Sequence, residues 1–229
     1  MPTTFSFKGL GCECVEGKTT VHLSCPSGAD ASNGDLGKAI DFRYTELPEM
    51  KFNGANLKQA KFDYAACQGC SFVGAEMSGT DMSYARMSDS SFFGADLEGA
   101  SLDYVNSDGG NFTAANMEDT NADYGSFKGA SFAGATMSNL DGDYGHFNKA
   151  DLSDAVLEGA DLSYARMKGA DLSRANFEGA DLSFAGLRGS TGFQSATCSG
   201  GTFDFMTCPS GTSVGVLRNA CDPGESCAA

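Results

Sequence analysis

The chain has 229 residues, 41% of them hydrophobic, with 30 glycines, no tryptophan and a formal charge of −15 at pH 7. That is enough apolar material for one large domain or two small ones. The charge is unsuited to nucleic acid or an anionic membrane and suits a basic partner or cations, with solubility alone as the plainer reading.

Residues 1–41 are Gly-, Ser- and Cys-rich and carry Cys12, Cys14 and Cys25. Within them TTVHL, residues 19–23, reads as a short strand, followed by the turn sequence CPSG at 25–28. The start, MPTTFSFKGL, lacks the basic start followed by an apolar run that marks a signal peptide. No stretch approaches the roughly 18 apolar residues of a membrane span, so no membrane insertion is expected.

From Leu47 to Leu187, stepping by five visits 29 positions, and all but Ser107, Ala122 and Gly142 are Leu, Phe, Met or Cys. Two residues before each the side chain is nearly always small, as in Ala55, Ala60, Ala65 and the unbroken series Ala150 to Ala185. Neither a helix of period 3.6 nor a strand of period two keeps such a pattern on one face. A coil with four five-residue sides does, with the central and small residues inward and the other three positions outward. These residues, typified by GADLSYARMKGADLSRANFEGADLSFAGLRG at 159–189, resemble the pentapeptide-repeat family, whose motif is approximately Ala-(Asp/Asn)-Leu-X-X. The resemblance implies an all-β fold, a right-handed quadrilateral β-helix of about seven coils over residues 42–189.

Two misfits agree with this register. Leu140 stands in the small slot before Gly142 and Val105 in the one before Ser107, so volume is kept while position is swapped. Ala122 has only Thr120 beside it, which predicts a slack point in the core. Cys67 and Cys70 fill inward slots and read as buried thiols, a local bridge being the alternative.

Twenty residues make one turn. Tyr44, Tyr64, Tyr84, Tyr104, Tyr124, Tyr144, Tyr164 and Phe184 recur at that interval, which predicts one aromatic ladder along a corner. Let the first side be centred on Phe62, Met82 and Leu102, the second on Cys67 and Met87, the third on Phe72 and Phe92, and the fourth on Met77 and Leu97. Sides four and one adjoin and hold most of the acids, including Asp81, Glu98, Asp103, Glu118, Asp123, Asp143 and Glu158. Sides two and three hold most bases of the later coils: Lys128, Lys149, Arg166, Lys168, Arg174 and Arg188. The predicted partner-binding side is thus the acidic one, built from those seven carboxylates and Tyr64, Tyr84, Tyr104, Tyr124, Tyr144 and Tyr164. Stacking that stabilises the solenoid itself is the purely structural explanation of the same ladder.

Beyond the repeat, residues 190–229 carry Cys198, Cys208, Cys221 and Cys227 and a second CPSG at 208–211. A solenoid needs its open ends covered, so 1–41 and 190–229 are read as Cys-rich caps. Their seven cysteines are disulfide candidates, which favours an oxidising, extracytoplasmic compartment, either secreted or the thylakoid lumen that some members of the family occupy. Zinc is disfavoured because the caps contain only one Cys-X-Cys and no paired Cys-X-X-Cys. No metal or cofactor is expected. The two histidines, His22 and His146, have no nucleophile beside them in sequence, and DTNADYG at 119–125 copies only the first ligands of a calcium loop. The expectation is a scaffold, not an enzyme, that binds a basic protein surface. The alternative implied by the family is DNA mimicry, in which an acidic rod engages DNA gyrase. An ice-binding face is disfavoured because no outward Thr ladder exists.

Overall fold

The computed structural model describes residues 13–16, 21–24, 26–34, 36 and 40–211. Strands β1 (Glu13–Glu16) and β2 (Val21–Ser24) form an antiparallel hairpin with Glu13 opposite Ser24. From Asp41 to Thr191 the chain is a stack of parallel bridges, each joining a residue to the one twenty positions on, such as Lys61 to Asp81 and Asp81 to Ser101. This is a β-helix whose bridging residue immediately precedes the central one.

Each five-residue side closes on a β-turn. In the one spanning Phe62 to Ala65, the Ala65 N–H donates to the Phe62 carbonyl at 2.8 Å. The third residue of each turn is left-handed, with φ near +60° at Tyr64, Gly69, Gly74 and Gly79, the signature of a type II turn. The preference for Asp or Asn before the central residue follows from the same turn. The carboxylate of Asp81 accepts the Ser83 N–H at 3.0 Å, and those of Asp161 and Asp181 accept from Ser163 and Ser183. These acids hold corners together.

The central and small residues are buried along the whole coil. On side three Phe52, Phe72, Phe92, Phe112 and Phe132 stack with centroids 4.7–5.1 Å apart, an internal aromatic column. Two hydroxyls in small slots are satisfied by backbone: Thr120 donates to the Leu97 carbonyl at 3.0 Å and Ser90 to that of Cys67 at 2.7 Å. At Gly142 an added Cβ would lie 2.8 Å from a Leu140 methyl and 3.2 Å from a Leu162 methyl, so Leu140 has indeed taken the vacant space. At Ala122 the rungs persist, with its N–H donating to the Asp141 carbonyl at 2.6 Å. The expected slack does not break the coil.

One reading of the cysteines is corrected. Cys67 and Cys70 are a disulfide with Cα atoms 5.4 Å apart, not free thiols, because central and next small slots face each other across a corner at bonding range. Cys198 and Cys208 are buried and also disulfide-bonded. Cys14 lies in β1, while Cys12, Cys25, Cys221 and Cys227 fall outside the described residues.

The bridges run outward from the 42–189 block at both ends. Asp30 pairs with Lys51, and Asn176, Asp181 and Gly186 pair with Thr197, Thr202 and Thr207 at a spacing of 21. The additional residue at the later end is absorbed by a 3₁₀ turn, Phe193–Ser195, entered through left-handed Gly192.

Candidate functional side of the coil

The tyrosines meet as one continuous ladder. Tyr44, Tyr64, Tyr84, Tyr104, Tyr124, Tyr144 and Tyr164 stack with centroids 4.7–5.0 Å apart and planes within 8°. Phe184 and Phe205 extend it at 4.7 and 5.1 Å. Phe205 escapes a strict count of twenty because the 3₁₀ turn shifts the register. The renewed five-residue spacing of Phe193, Cys198, Phe203 and Cys208 was the signal that could have found it.

The rings occupy left-handed turn positions, with φ between +53° and +61° from Tyr44 to Phe184. Each costs about 1–2 kcal/mol relative to ordinary backbone, and each stacked pair returns roughly 0.5–1.5 kcal/mol. The two nearly cancel, which explains why tyrosine persists at this corner while glycine occupies many of the others. The rings remain 39–50% exposed from Tyr44 to Tyr164, so an ordered aromatic strip some 30 Å long faces solvent.

Beside it run the acids. Asp103, Asp123 and Asp143 form an unbroken column, half-buried, and the N–H groups of Tyr84, Tyr104 and Tyr124 donate to their backbone carbonyls at 2.8–3.0 Å. One carboxylate oxygen of each is buried without a hydrogen-bond partner. Burial pushes all three carboxyls above their usual range, with neighbouring acids adding to it at Asp143 and, more weakly, at Asp103. Asp123 is pushed furthest, to about 7, by burial and by a hydrogen bond to the adjoining Asp141. A proton held there offsets the like-charge repulsion that the stacking of these residues implies. Asp81 bridges to Lys61 and Ser101 and caps its turn, whereas Glu98, Glu118 and Glu158 project from side four as exposed charges.

Among the described residues no group of three His, Cys, Asp or Glu side chains converges as a metal would require, and no helix is long and apolar enough to cross a membrane. His146 stands half-buried on side two, its pKa lowered by burial, Arg166 and Lys128.

Parallel bridges, five-residue sides and a continuous buried core define a solenoid of the β-helix class. The model for pentapeptide repeats matches in eight copies within 40–141 and 150–189, and the chain belongs to the pentapeptide-repeat family. Among solved structures it is similar to HetL, a pentapeptide repeat protein involved in heterocyst differentiation regulation in the cyanobacterium Nostoc. The two are 23% identical over 82% of this chain and 86% of that one, with a TM-score of 0.58. QnrB1, a plasmid-mediated fluoroquinolone resistance protein, is 18% identical over 78% of this chain and 91% of that one, at a TM-score of 0.39. A pentapeptide repeat protein of the Arabidopsis thaliana thylakoid lumen is 28% identical over 55% and 69%, at a TM-score of 0.26. No curated protein sequence matches the chain.

Proposed function

We propose that the protein is a non-enzymatic scaffold that docks a basic protein surface along sides four and one. The observation that carries this reading is the exposed tyrosine ladder with a carboxylate column along its side-one flank. Tyrosine offers rigid apolar area with a polar tip, and aligned carboxylates steer a cationic partner to it. Glu98, Glu118 and Glu158 supply exposed charge, the half-buried column of Asp103, Asp123 and Asp143 adds carboxyl acceptors beside the ladder, and the rings supply contact area. The bonded Cys67, Cys70, Cys198 and Cys208 support an oxidising compartment, secreted or thylakoid-lumenal.

The test is affinity capture from a native extract with the wild-type chain and with a variant carrying Tyr84→Ser, Tyr104→Ser and Tyr124→Ser. A specific protein retained by the first and lost by the second supports the reading, and identical captures make the ladder scaffolding only. The acidic columns also suit DNA mimicry. That alternative predicts inhibition or protection of DNA gyrase in a supercoiling assay at micromolar protein, and an unchanged supercoiling rate dismisses it.

A further inference from the structure

Side two changes character along the coil. Its early turns carry Glu46, Glu49, Asp89 and Asp108, but from Lys128 to Arg188 no acid occupies an outward slot, and Lys149, Arg166, Lys168 and Arg188 all stand exposed. His146 and Arg166 share one column through a direct bridge, and Lys168 and Arg188 share the next. Among the described residues, salt bridges join Arg43 to Asp41, Lys58 to Glu76, Lys128 to Asp108 and Arg174 to Asp154. Lys149, Arg166, Lys168 and Arg188 are in none of them, although the chain has 30 acids to 15 bases. In so acidic a molecule, four neighbouring cations outside any of these ion pairs form a distinct surface.

We propose that this late half of side two is a second docking face, one that takes an acidic protein segment in extended form. The net charge does not forbid it. Side four lies across the core, about 10 Å of packed side chains away, so its carboxylates act on an anion seated on side two from farther off than the cations that anion touches. The width of the face selects among anions. It is bounded on one flank by Asp143, Asp161 and Asp181 and on the other by Asp151, Asp154 and Asp171. A nucleic-acid duplex, far wider than one five-residue side, would press its phosphates against both acidic flanks, whereas a single peptide strand fits between them. Tyr144 and Tyr164 border the stripe at the corner it shares with side one, offering apolar contact beside the cations. The face adjoins the acidic one along the tyrosine corner and turns away from it, so the rod would hold partners of opposite charge on adjoining sides.

The test is fluorescence anisotropy with a fluorescein-labelled polyglutamate peptide, using the full chain at low and physiological salt. Saturable binding, weakened about tenfold or more by Lys168→Glu with Arg188→Glu and unchanged by Asp103→Asn with Asp123→Asn, is the expected result. Circular dichroism checks that each variant keeps its fold. Equal binding by the charge-reversed variant, no binding at low salt, or equally tight binding of a short DNA duplex would each overturn the proposal.

Discussion

Tyr104 provides a sharp energetic test because two opposing effects meet in one residue. Its ring stacks at 4.8 Å on Tyr84 and 4.9 Å on Tyr124, and its backbone is left-handed at φ +53°. Tyr104→Ala removes two ring contacts, worth about 1–3 kcal/mol together, and leaves the backbone strained. Tyr104→Gly removes the same contacts but relieves strain worth about 1–2 kcal/mol, less the greater freedom glycine gains on unfolding, about 0.5–1 kcal/mol. Glycine should therefore be the milder substitution, by about 0.7 kcal/mol at the middle of those ranges, since alanine at a positive φ keeps a steric penalty that glycine lacks. Urea unfolding followed by circular dichroism measures both variants. If glycine is as damaging as alanine or worse, the ladder is not balancing backbone strain and the account of this corner fails.

Three further outcomes are expected. Asp123 has a folded-state pKa near 7 against 3.8 for the free group, so the folded chain binds the extra proton between those values and stability rises as pH falls from about 8 towards about 5. Asp123→Asn should raise the melting temperature at about pH 8 and flatten that dependence; a profile unchanged by the substitution would contradict it. Leu140→Ala should cost about 2–5 kcal/mol through a cavity and Gly142→Leu about 1–3 kcal/mol through overpacking. The double variant, which restores the usual register, should be more stable than either single one in denaturant unfolding. Tryptic mapping without reductant should yield one peptide from Phe62 to Arg86, lighter by two hydrogens than its reduced form, whose cysteines resist alkylation until reductant is added.

Much of the architecture was legible because a five-residue period leaves little freedom: Leu, Phe and Met at every fifth place can share an interior only in a four-sided coil. The tyrosine ladder followed from the interval of twenty. Other features depend on distances that a residue string does not carry. Whether Cys67 and Cys70 bond depends on the span across one corner, and the position of Phe205 depends on how a single inserted residue is absorbed near Phe193. The carboxylates divide in the same way. Spacing put Asp81 and Asp103 on one side, but only the fold separates Asp81, which caps a turn, from Asp103, which has a buried oxygen without a partner.

Zero-length carbodiimide cross-linking of the complex with a captured partner, read by mass spectrometry, tests the docking side most directly. The account predicts links from Asp81, Glu98, Glu118 and Glu158 on sides four and one to lysines of the partner. Links confined to Asp89, Asp108, Asp151 and Asp171, on sides two and three, would contradict it.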